Sequence, residues 1–219
     1  MNNETIEDYL KAIFVLQKEK GKVATNELAK KLGIAAASAT GMIKKLSEKN
    51  LVTYEPYQGV KLTDPGKRIA LEVIRHHRLI ELFLSESLGV PWDKVHEEAE
   101  KWEHILSEDL EDRIDELLGY PTTDPHGAPI PNRNGEFTSN KTIPLSDLGV
   151  GQPAIISEVS DDNSELLRYL GEMGFFPKIE IMILNKAPFE GPIEIQIDDM
   201  QHSIGSKVAS QILVTRVQS

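Results

Sequence analysis

The 219-residue chain contains no cysteine. That removes disulfides, cysteine-ligated iron–sulfur clusters and thiolate zinc sites in one step. No apolar run approaches the roughly 20 residues that a membrane-crossing helix needs. The start, MNNETIEDYLKAIF, is polar and acidic, unlike a secretory signal or a transit peptide. A cytoplasmic location with no membrane partner is therefore expected. Also missing are the G-x-S-x-G elbow, the P-loop and the dinucleotide fingerprint. HEEAE lacks the second histidine of H-E-x-x-H, and EKWEH lacks the first of H-x-x-E-H. These absences predict a protein that is not an enzyme and has no small organic substrate.

Positive charge is scarce overall but not everywhere. The net charge is −11, yet residues 1–68 hold 12 Lys/Arg against 8 Asp/Glu, a balance of +4. The rest holds 12 against 27, a balance of −15. The asymmetry predicts a mildly basic module attached to an acidic body.

In the basic module, Ile6, Tyr9, Leu10, Ile13 and Phe14 give a helical apolar face that Gly21 ends. TNELAKKL follows with Thr25 as the expected N-cap, then the turn GIAAAS, then a second helix through Ala39, Met42, Ile43 and Leu46. VTYEPYQGVKLT reads as a hairpin about Gly59, and a helix restarts after Asp64, Pro65 and Gly66. Two short helices, a glycine turn and a small hairpin spell a winged helix-turn-helix over residues 1–70. The alternative is a small helical bundle with an incidental hairpin. The basic residues favour a partner of double-stranded DNA: Lys44 and Lys45 lie off the apolar face of the second helix, and Lys61 lies in the wing. Ser38 and Thr40, near the start of that helix, are placed to reach base edges or phosphates.

Residues 71–140 read as a helical domain with two long helical patterns and a loop, GYPTTDPHGAPIPNRNGEFTSN. The first pattern carries more apolar surface than one small domain needs, which predicts a homodimer interface. Residues 141–219 read as a small SH3-like β-barrel, with strands near 153–159, 179–185, 193–198 and 212–217 and a helix over Ser164–Met173. The predicted class is mainly α with small β parts.

The chemistry concentrates in VHEEAEKWEH, residues 95–104. Read as one helix at about 100° per residue, it stacks His96, Glu100, Glu103 and His104 in one stripe, with Trp102 facing the core. Acids on adjacent turns repel, so the stripe asks for a cation. His77 and Glu81 share a face of the preceding helix. Mixed imidazole and carboxylate donors suit Mn²⁺, Fe²⁺, Zn²⁺ or Co²⁺. The plain alternative is a solvated acidic face; a hydrolase with a carboxylate-bridged metal pair and a regulator that senses an organic ligand are the others.

The segments EDYLKAIFVL, HHRLIELFL, KVHEEAEKWEH and GYPTTDPHGAPIP, in this order, resemble the DtxR/MntR family of metal-dependent repressors, and the resemblance covers essentially the whole chain. It implies a winged helix, a helical dimerisation domain and an SH3-like, FeoA-like tail. It implies a primary metal site from Asp8, Glu100, Glu103 and His104 with His77 close by. A second site would use Glu81, His96 or His126, and Asp124, giving two sites per subunit. Asp162 resembles a tail-domain ligand of longer members, with Glu165 a second candidate. Lys11 stands where short manganese-sensing members have Glu. Ala37 and Gly41, on the helix expected to read DNA, stand where some members have Pro and Gln. Iron-sensing members place Met and Cys where this chain has Asp8 and Glu100, so Mn²⁺ is the expected metal and Fe²⁺ the runner-up.

Overall fold

The computed structural model describes residues 3–55, 58–137 and 141–217. The chain divides into two compact units. The first comprises Met1–His77, Lys101–Glu108 and Pro131–Glu136; the second comprises Arg78–Glu100, Asp109–Ile130 and Phe137–Ser219.

The first unit opens with α1 (Asn3–Lys20), α2 (Thr25–Lys31) and α3 (Ala36–Glu48), followed by β1 (Val52–Glu55) and β2 (Gly59–Leu62). The strands pair antiparallel, Val52 opposite Leu62, which makes the expected wing. Leu10 and Ile13 of α1, Leu28 of α2, Met42, Ile43 and Leu46 of α3, and Val52 and Val60 of the wing share one buried core. Gly59 has φ +94°, and a Cβ there would lie 2.6 Å from the Val23 carbonyl oxygen. Only glycine lets the wing close onto that backbone, where Val23 and Val60 exchange hydrogen bonds. Thr25 is not the N-cap: Ala24 occupies that position, and the Glu27 carboxylate accepts from its amide at 3.4 Å.

Helix α4 (Asp64–Leu88) supplies residues to both units, to His77 in the first and from Arg78 in the second. The second long helical pattern breaks into α5 (Val95–Trp102) and α6 (Glu108–Leu117). Glu103 and His104 thus sit in the turn after α5 and not on one helical stripe with His96. The Glu103 carbonyl, which a continuing helix would use, lies 3.1 Å from the His76 ring, so the side chain of another helix terminates α5. Trp102, expected in the core, is 40% exposed. Val73, Ile74, Leu79, Ile80 and Leu84, whose apolar surplus suggested an interface, are buried within the chain; Leu88, Leu110 and Leu117 are exposed instead.

In the second unit, β3 (Ile143–Pro144), β4 (Pro153–Val159), β5 (Glu180–Lys186), β6 (Ile193–Ile197), β7 (Met200–Ile204) and β8 (Ile212–Arg216) form one sheet, in the order β3-β8-β4-β5-β6-β7. All its pairs are antiparallel. Helices α7 (Ser164–Glu172) and α8 (Ser206–Ala209) complete the tail. Its core gathers Ile156, Leu167, Leu170, Phe175, Ile183, Ile195 and Val214. The sheet is open where a closed barrel was expected: among the described residues β3 and β7 are edges. Strand β3 is two residues long and includes Pro144, which has no amide to extend a ladder. Among the described residues no helix is long and apolar enough to cross a membrane.

Candidate metal centre

Within the first unit, α1 and the turn after α5 bring Asp8, Glu103 and His104 together, with one ligand atom of each within 4.8 Å of the others. His104 Nε2 lies 3.0 Å from Asp8 Oδ1 and 3.4 Å from Glu103 Oε1. Its Nδ1 lies 2.6 Å from Glu7 Oε2. Burial alone would drive the His104 pKa down; the hydrogen bond to Glu7 and the charges of Glu103, Asp8 and Glu7 outweigh it and raise the pKa. Glu103 has no exposed side-chain surface. Lys11 Nζ donates to both its oxygens, at 2.9 and 2.8 Å, and His77 Nδ1 hydrogen-bonds Oε2. Lys11 also lies 3.2 Å from His77 Nδ1. A lysine ammonium therefore already serves both oxygens of Glu103, and His104 Nε2 shares Oε1 with it.

Within the second unit, Glu81, Asp124 and His126, all buried, form another group inside 4.8 Å. Helix α4 supplies Glu81, and the DPHG loop supplies the other two. The loop is held by Asp124 Oδ1, which accepts from the amides of His126 and Ala128 at 2.8 and 3.0 Å. His126 Nε2 is committed to the Trp92 carbonyl oxygen at 2.8 Å, leaving Nδ1 turned toward Glu81 Oε2 at 3.7 Å. That distance is an ion-pair and not a hydrogen-bond separation. Neither His126 Nδ1 nor Asp124 Oδ2 has a hydrogen-bond partner, although both are fully buried. Their neighbours stand at ion-pair distances only, Glu81 for Nδ1 and Arg78 Nε, 3.6 Å away, for Oδ2, and buried polar atoms without hydrogen bonds are costly. Burial pushes Asp124 up to about 7, with the neighbouring Glu81 charge adding and Arg78 opposing. Burial works against the charged form of His126, but Glu81 and Asp124 outweigh it and push the pKa to about 9. Two buried carboxylates and an imidazole whose ligand atoms lie this close together suit a divalent cation once the imidazole gives up its proton.

His96 joins this neighbourhood, with Nδ1 3.2 Å from Glu81 Oε1 and 3.8 Å from Asp161 Oδ2. Glu100 lies in the second unit, its Oε1 3.7 Å from His96 Nε2. Asp162 is outside these groups, its Oδ2 3.5 Å from the Ser160 hydroxyl. Asn163 caps α7 by accepting from the amides of Glu165 and Leu166. Asp161 stands beside His96 and Glu7 beside His104, and the sequence reading named neither. The adjacent acids in SDDN and IED were the available signals.

On α3 the exposed positions include Ala37, Ser38, Gly41, Lys44 and Lys45, opposite the buried Ala39, Met42, Ile43 and Leu46. The Thr40 hydroxyl donates back to the Ala36 carbonyl oxygen at 2.8 Å. Lys61 is exposed on β2.

An exposed recognition-type helix, a wing and two imidazole–carboxylate groups define a metal-responsive DNA-binding regulator. Three family models match in succession: the iron dependent repressor N-terminal DNA binding domain over residues 1–60, the iron dependent repressor metal binding and dimerisation domain over 63–132, and the FeoA domain over 143–216. The diphtheria toxin repressor of Corynebacterium efficiens is 31% identical over 224 residues, covering 98% of this chain and 96% of that protein. The iron-dependent repressor IdeR of Mycobacterium leprae is 29% identical over 192 residues, covering 82% of this chain and 84% of that protein. A solved structure described as a manganese-dependent transcriptional repressor in complex with manganese superposes with a TM-score of 0.91 at 38% identity, covering 97% of this chain and 100% of that one. The chain belongs to the iron-dependent repressor family, whose members are metal-dependent DNA-binding repressors and not enzymes.

Proposed function

We propose that this chain is a homodimeric, cytoplasmic repressor that binds double-stranded operator DNA when loaded with Mn²⁺, Fe²⁺ being the alternative metal. Residues 1–70 read DNA, 71–140 hold metal and dimerise, and 141–219 form the tail, an open antiparallel sheet of the FeoA, SH3-like kind. Two metal sites per subunit are assigned: Asp8, Glu103 and His104 in the first unit, and Glu81, Asp124 and His126 in the second, with His96 and Asp161 adjoining. One observation carries the reading: Asp8, on the first helix of the DNA-reading unit, lies within 4.8 Å of Glu103 and His104. An ion there supplies the positive charge that this acidic group calls for.

The residues do the rest. Asp8 fixes α1 to the turn after α5. Because Leu10 and Ile13 of α1 share a core with Met42 and Ile43 of α3, fixing α1 also restrains the helix that carries Ser38, Lys44 and Lys45. Metal promotes DNA binding only in so far as it binds the DNA-competent arrangement better. The exposed Leu88, Leu110 and Leu117 supply apolar surface for dimerisation.

Selection among metals follows from hardness. Intrinsic affinity rises from Mn²⁺ to Fe²⁺ and beyond, so strength alone never favours manganese. Every candidate donor here is a carboxylate oxygen or an imidazole nitrogen, and the chain has no thiolate to draw softer ions. Anaerobic fluorescence anisotropy of labelled DNA from upstream of the protein's own coding sequence, under buffered free metal, tests the assignment. Activation by Mn²⁺ at least as full as by Fe²⁺ is expected. Full activation by Fe²⁺ with none by Mn²⁺ would replace the metal.

A further inference from the structure

We propose that Glu7 is a positioning residue of the first metal group: it holds the proton on His104 Nδ1 and so commits Nε2 to the metal. This rests on the reading that Asp8, Glu103 and His104 bind the ion. On α1, Glu7 and Asp8 are consecutive and point about 100° apart. That divergence lets the two carboxylates straddle one imidazole, Glu7 on Nδ1 at 2.6 Å and Asp8 on Nε2 at 3.0 Å. The two ring nitrogens direct their bonds away from each other, so Glu7 stands on the opposite side of the ring from Asp8 and Glu103.

A carboxylate only accepts, so the nitrogen it faces carries the proton. With no ion present both ring nitrogens face carboxylates, Nδ1 that of Glu7 and Nε2 that of Asp8. An ion held by Asp8 and Glu103, whose Oε1 lies 3.4 Å from Nε2, would take the place of the Nε2 proton, while the Nδ1 proton stays on the contact to Glu7. The side chain of His104 is 9% exposed and that of Glu7 22% exposed, so water competes weakly for either. Carboxylate–histidine–metal arrangements of this kind fix the tautomer, orient the ring and strengthen the ligand. Glu7 does this from the same helix as Asp8, so one movement of α1 delivers both the ligand and the group that orients its co-ligand.

The test uses the full-length protein carrying Glu81→Gln, which removes the second group, with Glu7→Ala and Glu7→Gln added in turn. Mn²⁺ affinity is read by EPR of free Mn²⁺. The His104 Nδ1 proton is read by imidazole ¹⁵N NMR with Zn²⁺ as the diamagnetic probe. Glu7→Ala is expected to weaken Mn²⁺ binding about ten- to a hundredfold with unchanged stoichiometry, and to erase the protected Nδ1 proton. Glu7→Gln, whose amide oxygen still accepts, is expected to recover most of the affinity and the proton signal. Wild-type affinity together with an unchanged Nδ1 signal in Glu7→Ala overturns the proposal. So does a Gln variant as impaired as the Ala variant, which would make Glu7 a direct ligand. If these results hold while operator binding proves indifferent to metal, the repressor reading fails and the role of Glu7 stands.

Discussion

Replacing Glu103 by Ala in chelator-treated protein separates its structural role from its metal role. Glu103 is fully buried and accepts two hydrogen bonds from Lys11 at 2.8 and 2.9 Å, besides the contact with His77. Hydrogen bonds to charged groups contribute roughly 1.5–3 kcal/mol each, and breaking a buried ion pair by removing one partner costs about 3–5 kcal/mol. The Lys11 side chain keeps 18% of its surface exposed, so its ammonium can partly recover hydration, and the low end applies: about 3 kcal/mol. At about 2–4 °C per kcal/mol for a chain of this size, the apo melting temperature should fall by about 6–12 °C. Thermal unfolding followed by circular dichroism in excess chelator measures it. Adding Lys11→Met to Glu103→Ala should restore part of the loss, because the stranded ammonium goes with it. A Glu103→Ala melting temperature within 2 °C of wild type would show that the Lys11–Glu103–His77 cluster does not stabilise the apo protein, and the reasoning would fail.

Three further outcomes follow from the geometry. Lys44→Ala or Lys45→Ala should weaken binding to all DNA sequences alike and lower the salt slope by about one; a loss confined to one operator position would show base reading instead. His126, with its pKa raised to about 9, is protonated at neutral pH, whereas a ligating imidazole must be neutral. Metal uptake at the Glu81 group should therefore release protons at pH 7, and apparent affinity should climb as pH rises toward about 9. Calorimetric enthalpies that are identical in Tris and phosphate would contradict this. Asp161→Asn should weaken metal binding beside His96 while Asp162→Asn leaves it unchanged, and the reverse order in a metal titration would return the role to Asp162.

Much of this molecule was legible in residue order. The winged helix followed from helical spacing, the glycine at 59 and two β-like runs, because local pattern and core agree there. Strands β4, β5, β6 and β8 were equally readable, since alternating burial leaves a period of two. Strand β7 was not: MQHSI carries little apolar alternation and is held by its pairing with β6. The end of α5 was hidden for a different reason. Nothing local stops a helix at Trp102; His76, 27 positions away in sequence, takes the Glu103 carbonyl. The family pattern named Asp8, Glu103, His104, Glu81, Asp124 and His126, which lie together in two groups. It could not supply Asp161 or Glu7, whose parts depend on which of two adjacent acids a turn or a helix aims at a ring.

Whether metal on the Asp8–Glu103–His104 group licenses DNA reading is decided by fluorescence anisotropy of labelled upstream operator DNA. Wild-type protein is measured with saturating Mn²⁺ and with excess chelator, and Glu103→Ala is measured with saturating Mn²⁺. Tight, salt-sensitive binding is expected only for the first, with Glu103→Ala in Mn²⁺ as weak as wild type in chelator. Equal operator affinity in all three would contradict it.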